Sequence, residues 1–315
     1  MENTTMENTR TKTTRNSLIL LLTAAIWGMA FVSQSKGMDY MHPFTFNGVR
    51  SLIGAASILV YILISRKIAG DKAAPLDWKL NVKAGLLCGI FLTIASTLQQ
   101  FGIKYTSVGK AGFITTLYII FVPMFGIFLK KKVAPVVWAA AVMAAVGMYL
   151  LCMTESLRLG AGDIMVFLCA IAFAIQIMTV DHYAARIDGA VVSCIQFTVC
   201  GVVCCIGALI WGQPTFGQLQ EGLGALLYAG VLSCGVGYTL QIVGQKGLNP
   251  TVAALIMSLE SVIATISGWI AYKIGFLTTD QTLTARQIAG CVIVFAAVIL
   301  VQLPPEWFRL GKKNA

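Results

Sequence analysis

The chain has 315 residues, of which 57% are hydrophobic and only 11% are charged, and its formal net charge is +10. A soluble protein carries roughly a quarter charged residues, so this composition and a mean hydropathy of +0.81 exclude a soluble globular fold. The solvent of the chain is therefore lipid. Because every backbone polar group in hydrocarbon needs an internal partner, we predict an all-α membrane protein.

Ten apolar stretches are each long enough for a helix that crosses a bilayer, which needs about 20 residues. These ten predicted spans lie near residues 17–35, 44–64, 81–104, 109–129, 133–153, 163–182, 190–211, 223–246, 251–272 and 284–303. They leave no room for a soluble domain. We predict a disordered cytoplasmic tail at 1–16, where the sequence is polar and nearly repeats itself, and a second cytoplasmic tail at 304–315.

The positive charges are distributed unevenly over the predicted connections. With the N-terminus inside, 16 lysines and arginines lie on the tails and the connections of one side, and six lie on the other. Basic residues favour the cytoplasmic side, so both termini are expected in the cytoplasm of a multi-pass plasma-membrane protein. The charge is a topology signal, and the expected partners are membrane lipids and a small molecule but no nucleic acid. The chain is expected to be a monomer or a homodimer.

The first two spans carry polar and aromatic residues deep in the membrane. Trp27 and Gln34 follow helical spacing in span 1 and lie on one face, where Trp27 either packs between helices or forms a pocket wall. Arg50 lies six residues inside span 2. A membrane arginine usually faces the bundle interior or a cavity, although its long stem also allows the charge to reach the surface.

Spans 3 and 4 contain Gln99, Tyr118 and Pro123. Proline cannot donate a backbone hydrogen bond, so Pro123 leaves the carbonyl group of Ile119 without its helical donor. The sequence therefore predicts a bend at Pro123, which is either a harmless kink or a hinge beside a binding cavity.

The second half of the chain places further polar residues inside its spans. Phe173 and Gln176 lie in span 6, Gln196 in span 7 and Gln241 in span 8. Glu260 lies near the middle of span 9 and is the one acidic residue that we place at mid-membrane. An ionisable residue at this depth is costly and usually has a function.

One stretch of the sequence occurs twice. Residues 97–131 align without a gap on residues 239–273, with ten identities in 35 positions at an offset of 142. A weaker match at an offset of 146 pairs Trp27 with Phe173 and Arg50 with Gln196. We therefore predict two similar halves of the chain, at 17–153 and 160–303. Five spans in each half require the second half to be inverted relative to the first, a repeat common in transporters.

The motifs of both halves resemble the drug/metabolite transporter superfamily, in its ten-span EamA-type branch, over residues 17–303. The first-half motifs are Ile26-Trp27-Gly28, Pro43, Arg50, and Ala111 to Leu117 with Pro123 beyond it. The second-half motifs are Gly162-Asp163, Asn249 to Leu255, Ser258-Leu259-Glu260 and Gly268-Trp269. The resemblance implies an inverted repeat around a central cavity, alternating access, and substrates such as amino acids, other metabolites or drugs, often moved outward. The family often has proline after the glutamate of span 9, where this chain has Ser261, which leaves a kink in the second half open.

Four residues define a predicted layer at the bilayer middle. Trp27, Tyr118, Phe173 and Glu260 each lie within about two residues of the midpoint of their span, so their depths agree at a rise of about 1.5 Å per residue. The predicted substrate-binding residues are Trp27, Arg50, Tyr118, Phe173, Gln176 and Glu260. The predicted gate residues are Gln34, Gln99, Gln196 and Gln241, and the predicted hinge is Pro123.

The residue types of this layer indicate the chemistry of the substrate. Aromatic walls suit planar or amphipathic molecules, the Glu260 carboxylate suits an amine, and Arg50 could bind a carboxylate in a bidentate manner. An amino acid or similar zwitterion fits this set, and a cationic drug fits nearly as well. Glu260 has three alternative roles: proton coupling, substrate binding without protons, or a structural pair with Arg50. Burial favours a neutral carboxyl group and a cation favours the charged one, an opposition that would let proton and substrate exchange at one site.

The remaining function classes are constrained by what the sequence lacks. There is no GxxxxGK[ST] motif to power primary transport, which favours a secondary transporter. The resembled branch often moves its substrates outward, which implies an exporter. A channel or facilitator would need a continuous polar lining, against which the aromatic layer argues. A lipid-modifying enzyme would need a cluster at the interface, for which Asp181, His182, Arg186 and Asp188 are the candidates. No nucleophile triad or metal-ligand set can be assembled, so we expect no enzyme, catalytic residue, metal or cofactor.

Overall fold

The computed structural model describes residues 2–70, 75–129, 135–152, 160–278 and 281–302. Within these ranges the protein is helical and contains no strand. The helices are α1 (Glu2–Gly37), α2 (Pro43–Ala69), α3 (Trp78–Ile103), α4 (Val108–Thr116), α5 (Tyr118–Phe128), α6 (Pro135–Cys152), α7 (Ala161–Tyr183), α8 (Gly189–Gly207), α9 (Phe216–Glu221), α10 (Leu223–Leu227), α11 (Tyr238–Gln245), α12 (Pro250–Met257), α13 (Leu259–Lys273) and α14 (Ala285–Gln302). π-helical segments follow α8 at Ala208–Gly212 and join α10 to α11 at Tyr228–Gly237.

Eight helical segments are long and apolar enough to cross a membrane. They are Thr13–Gly37, Pro43–Ala69, Trp78–Ile103, Val108–Phe128, Ala161–Tyr183, Gly189–Gly212, Leu223–Gln245 and Pro250–Lys273. Two shorter apolar helices, Pro135–Gly147 and Ala285–Leu300, fall on predicted spans 5 and 10. The prediction of an all-α membrane protein is therefore confirmed, while the count of ten spans and the inversion of the two halves stay predictions.

The first helix is longer than the sequence predicts. It begins at Glu2, so residues 2–16 are helical where we expected a disordered tail. A helix that has started adds one backbone hydrogen bond for each further residue, which is how α1 can extend beyond its apolar span. The amide of Asn16 also donates to the backbone carbonyl of Lys246 across 2.7 Å, which attaches this part of α1 to the bundle. The predicted tail at 304–315 lies outside the described residues.

Side-chain contacts define two opposite ends of the bundle. At one end, which we call end A, Asn16 contacts Lys246, the backbone N–H of Asp188 donates to Asn81 across 2.9 Å, and the Lys246 ammonium group donates to the carbonyl of Ile187. End A thus brings together the part of α1 around Asn16, the starts of α3 and α8 and the end of α11. These connections are the ones that the charge distribution predicts to be cytoplasmic.

The opposite end, end B, is held by a partly buried ion pair. The Lys110 ammonium group lies 2.6 Å from the Asp163 carboxylate, which also accepts hydrogen bonds from Thr106 and from the backbone N–H of Gly160. Asp163 therefore caps the start of α7 by accepting from the backbone N–H of the N-cap residue Gly160, as its position after a glycine indicates. The bond from Thr106 also connects the α3–α4 turn to α7.

Close helix contacts bring Arg50 toward the centre of the bundle. A Cβ atom on Gly230 would lie 2.9 Å from the backbone carbonyl oxygen of Arg50, so only glycine allows this approach. Small residues permit such packing between membrane helices. Gly230 belongs to the π-helical segment Tyr228–Gly237, and π segments inside helices often occur at functional sites.

Candidate substrate-binding site

A cavity lies in the middle of the bundle, bounded by side chains of both halves of the chain, and its empty space is about 570 Å³ with open solvent included. Nine of the residues predicted for the substrate layer and the gates line it. They are Trp27, Gln34, Arg50, Gln99, Tyr118, Phe173, Gln176, Gln241 and Glu260. Tyr118, Glu260 and Arg50 are 2%, 3% and 5% exposed, so the cavity is nearly closed to solvent in this conformation.

Tyr118 and Glu260 meet at the cavity. The phenol hydroxyl of Tyr118 donates a hydrogen bond of 3.1 Å to a carboxyl oxygen of Glu260. A tyrosine hydroxyl is a neutral donor, so it can stabilise a carboxylate without adding charge. Both residues occur at equivalent positions of the internal repeat, because 142 residues separate them.

The helices that carry these two residues are both interrupted just before them. The first interruption lies at Leu117, between α4 and α5, and the second at Ser258, between α12 and α13. Beside each interruption a hydroxyl group donates to the carbonyl three residues earlier, from Thr116 to Phe113 at 2.9 Å and from Ser258 to Leu255 at 2.7 Å. Such bonds compete with regular helical bonding and loosen the helix locally.

The interruption of span 4 does not coincide with Pro123, where the sequence predicts a bend. It lies six residues earlier, at Leu117, and Pro123 itself lies within α5, from Tyr118 to Phe128. The backbone N–H of Leu117 bonds to Ile114 and that of Ile120 bonds to Leu117, both at the tighter three-residue spacing of a 3₁₀ turn. The second half is interrupted as well, although Ser261 replaces the proline common in the resembled branch. Pro123 does not line the cavity, and its role as a hinge stays a prediction.

Arg50 faces the bundle interior rather than the surface. Its Nε atom donates to the Asn47 side chain across 2.9 Å, and Asn47 donates to the backbone carbonyl of Ser96 across 2.8 Å. The guanidinium group also lies 5.4 Å from the centre of the Phe46 ring, within the range of a cation–π contact. These neutral contacts hold the side chain of Arg50, which lines the cavity.

Arg50 and Glu260 line the same cavity without forming an ion pair. Among the described residues, the ion pairs are Lys36–Asp39 and Lys110–Asp163. The alternative in which Arg50 and Glu260 form a structural pair is therefore not the arrangement in this conformation. The cavity instead presents one basic and one acidic group separately.

The buried glutamines form a polar chain beside the cavity. Gln241 donates to the side-chain carbonyl of Gln176 across 3.2 Å, and Gln176 donates to Gln196 across 3.5 Å. In the first half, Gln99 donates to the hydroxyl of Thr115 across 3.2 Å. Gln196, the predicted gate that does not line the cavity, lies one hydrogen bond behind it. The structure places these residues, and their action as gates stays a prediction.

Two buried acceptors remain for a ligand. The side-chain carbonyl oxygens of Gln34 and Gln241 have no protein donor among the described residues, and both residues line the cavity. Buried polar atoms are nearly always hydrogen-bonded, so orphaned acceptors at a cavity suit a molecule that donates hydrogen bonds.

Sequence reasoning missed part of the aromatic wall. The Tyr238 ring lies 4.5 Å from that of Trp27 and 4.9 Å from that of Phe197, and all three line the cavity. The indole N–H of Trp27 also points at the backbone carbonyl of Ser233, 3.4 Å away in the π-helical segment. The offset of 142 pairs Tyr238 with Ser96, which lines the cavity too.

Comparison with known proteins agrees with this architecture. The model of the EamA-like transporter family matches residues 15–153 and again residues 160–303, and the chain belongs to that family. An uncharacterized transporter of Archaeoglobus fulgidus is 27% identical over 290 residues, which cover 90% of this chain and 84% of the relative. The uncharacterized transporter YwfM of Bacillus subtilis is 24% identical over 92% of this chain and 94% of its own.

A solved structure supports the fold independently. One chain, described only as the crystal structure of a protein, has a TM-score of 0.72 at 16% identity and covers 94% of this chain and 99% of its own length. At this identity the likeness shows the fold alone. The protein is a multi-pass membrane transporter, as its family, its relatives named as transporters and its apolar helices indicate. The family and the relatives also point to a protein that is not an enzyme.

Proposed function

We propose that the protein is a secondary transporter that moves a small amphipathic metabolite out of the cell across the plasma membrane. The observation that carries this proposal is the central cavity, in which Arg50 and Glu260 stand apart as separate basic and acidic groups. A zwitterion such as an amino acid would place its carboxylate at Arg50 and its amine at Glu260. The aromatic wall around Trp27 and Tyr238 would pack against an apolar or planar side chain.

A drug-like cation is the second candidate substrate. It would use Glu260 and the aromatic rings but leave Arg50 without an anionic partner. Cations bind over aromatic faces within about 6 Å of the ring centre, so this wall suits them as well. Comparing a zwitterion with its amine-only analogue separates the two substrate classes.

Alternating access is supported by the two interrupted helices. Each interruption occurs where its helix borders the cavity, immediately before Tyr118 or Glu260. Discontinuous helices that meet at mid-membrane are a recurring feature of transporters built from repeats. Because backbone bonding is loosened at each interruption, the angle between α4 and α5, and between α12 and α13, can change there while the helices themselves stay folded.

Proton coupling is the role that we propose for Glu260. A carboxylate without a cationic partner is costly in a nearly dry cavity, and either a proton or the amine of the substrate would remove that cost. The hydroxyl of Tyr118 can donate to the carboxylate when the proton leaves. Proton and substrate would then exchange at one site, which is the requirement for antiport.

Flux in proteoliposomes tests this function. Untargeted metabolite profiling of cells with and without the protein would first identify molecules whose distribution depends on it. The purified protein should then give saturable flux of such a molecule, driven by a pH gradient. Single-channel currents would instead indicate a channel or facilitator, and product formation in detergent would indicate an enzyme.

A further inference from the structure

We infer that end A carries a second binding site, which takes the phosphate group of an anionic phospholipid. This site is separate from the central cavity, and the inference does not depend on the proposed transport function. It lies in a cavity between the end of α2, the start of α3, the α7–α8 connection and α11, whose empty space is about 1290 Å³ with open solvent included.

Three basic residues line this end-A cavity: Arg66, Arg186 and Lys246. The Lys246 ammonium group donates to the backbone carbonyl of Ile187 across 3.2 Å, and the Arg186 guanidinium lies 5.9 Å from the centre of the Tyr183 ring. Both contacts are with neutral groups, so they hold the cations in place without neutralising them. Arginine and lysine are the usual ligands of phosphate, and arginine has the planar geometry for two hydrogen bonds to one phosphate.

Two acidic residues line the cavity among the described residues, and both already have other partners. One carboxyl oxygen of Asp188 accepts hydrogen bonds from the backbone N–H groups of Ala190 and Val191, at 2.9 Å and 3.2 Å. Asp77 accepts one from the backbone N–H of Leu80 at 3.0 Å. Both therefore cap the starts of helices, and neither forms an ion pair with a lining cation among the described residues. Arg186 and Lys246 thus contact neutral groups while both of these acids are engaged as caps, which favours an anionic ligand.

The wall formed by α2 favours a lipid over a free phosphate. Only 33% of the apolar window of α2 is buried, against 50% or more in the other seven segments, so α2 is the most lipid-exposed of the eight. Tyr61, which lines the cavity, is 59% exposed, and Ile64 and Ile68 beside it are 53% and 80% exposed. A phospholipid would place its acyl chains along this surface and its phosphate among the cations, whereas inorganic phosphate would use the cations alone.

The depth of the cavity agrees with this occupant. α2 has 27 residues, and at about 1.5 Å per residue it is roughly 40 Å long, beyond the roughly 30 Å of the hydrocarbon layer. Arg66 in its last turn therefore lies at the level of the headgroups, where basic pockets between helices bind anionic lipids.

Binding measurements on the full-length purified protein test the inference. Phosphatidylglycerol, phosphatidylcholine, glycerol 1-phosphate and inorganic phosphate are each titrated against the protein in neutral detergent. We expect phosphatidylglycerol to bind at least tenfold more tightly than the other three. Arg186→Gln should weaken that binding about fivefold, the effect of one basic residue near an anionic surface. Arg186 is exposed, so this variant should keep its fold.

Lys67→Gln is the matched control, because Lys67 is exposed, follows Arg66 directly and does not line the cavity. It should leave phosphatidylglycerol binding unchanged. An equal loss in Lys67→Gln and Arg186→Gln would overturn the site in favour of diffuse surface charge. Equal binding of glycerol 1-phosphate or inorganic phosphate would overturn the lipid assignment, and equal binding of phosphatidylcholine would overturn the role of the charge. Transport assays are not involved, so failure here is distinct from failure of the proposed function.

Discussion

The hydroxyl group of Tyr118 donates to the carboxyl group of Glu260 across 3.1 Å, and 142 positions separate the two residues. The same offset relates the ten identities between residues 97–131 and 239–273. Equivalent points of the two halves therefore touch each other at the central cavity. In the alternating access proposed above, a movement of one half against the other would change this bond and so connect the conformational state with the acidic group.

The helix interruptions give the first prediction. Ser258→Ala removes the hydroxyl that bonds to the Leu255 carbonyl at 2.7 Å, so α12 and α13 should form a more regular helix. We expect turnover to fall several-fold while substrate affinity is unchanged, because the substrate contacts remain. Single-turnover flux and equilibrium binding in proteoliposomes measure the two quantities separately.

Two further variants serve as a control for Ser258→Ala and as a test of the predicted hinge. Thr198→Ala removes a similar hydroxyl-to-carbonyl bond of 2.8 Å on the exposed face of α8 and should change neither quantity. Pro123→Ala restores a backbone donor and tests the hinge predicted from the sequence, for which we expect slower exchange with little loss of affinity. If Ser258→Ala behaves like Thr198→Ala, the interruption has no part in the conformational change.

Arg50 gives a prediction about substrate class. Arg50→Lys keeps the positive charge but loses the planar fork that binds a carboxylate through two hydrogen bonds. Affinity for a carboxylate-bearing substrate should fall about tenfold, corresponding to about 1.4 kcal/mol, while affinity for its amine-only analogue should not change. Arg286→Lys on α14, whose guanidinium lies over the Tyr149 ring, serves as the control. If Arg50→Lys lowers the affinity for the carboxylate-bearing substrate and for its amine-only analogue equally, Arg50 is a packing residue and does not bind the carboxylate.

The aromatic wall gives a prediction that separates binding from stability. Trp27→Ala removes the ring that packs 4.5 Å from Tyr238, and substrate affinity should fall more than tenfold while the folded yield falls little. Truncating a buried ring that only packs costs roughly 3–5 kcal/mol of stability. Trp211→Ala is the control, because Trp211 is 64% exposed, stacks on Phe44 and is away from the cavity. A Trp27→Ala protein with lost expression and unchanged affinity would show that Trp27 is a packing residue.

Membrane topology gives a prediction from the charge distribution. Reporter fusions after Thr5 and after Lys312 should both report the cytoplasm, because 16 basic residues lie on that side and six on the other. A fusion in the connection between α1 and α2, at Asp39, should report the opposite side. A signal from outside the cell at either terminus would contradict the inverted arrangement of the two halves.

Much of this architecture could be predicted because membrane helices are specified by long apolar runs. The offset of 142 also placed Tyr118 and Glu260 at one depth, although it did not show that they touch. The interruptions at Leu117 and Ser258 were not predicted, since a single threonine or serine in an apolar run is a weak signal beside a proline. Tyr238 was missed because it lies more than three residues from the midpoint of predicted span 8, outside the layer that depth alone defined.

The role of Glu260 is the central claim, and Glu260→Gln tests it most directly. Glutamine keeps the shape and a hydrogen bond to Tyr118 but cannot release a proton. The measurement compares two activities in proteoliposomes: net flux driven by a pH gradient, and counterflow of labelled against unlabelled substrate. Tyr118→Phe, which removes only the hydroxyl, serves as the companion variant and should retain gradient-driven flux at a reduced rate.

We predict that Glu260→Gln abolishes net flux driven by the pH gradient, while counterflow of substrate persists, because alternating access remains and only the proton is lost. Disappearance of both activities together with binding would make Glu260 a substrate ligand or a structural residue. A Glu260→Gln protein that still concentrates substrate under a pH gradient as the wild type does would contradict proton coupling at this residue.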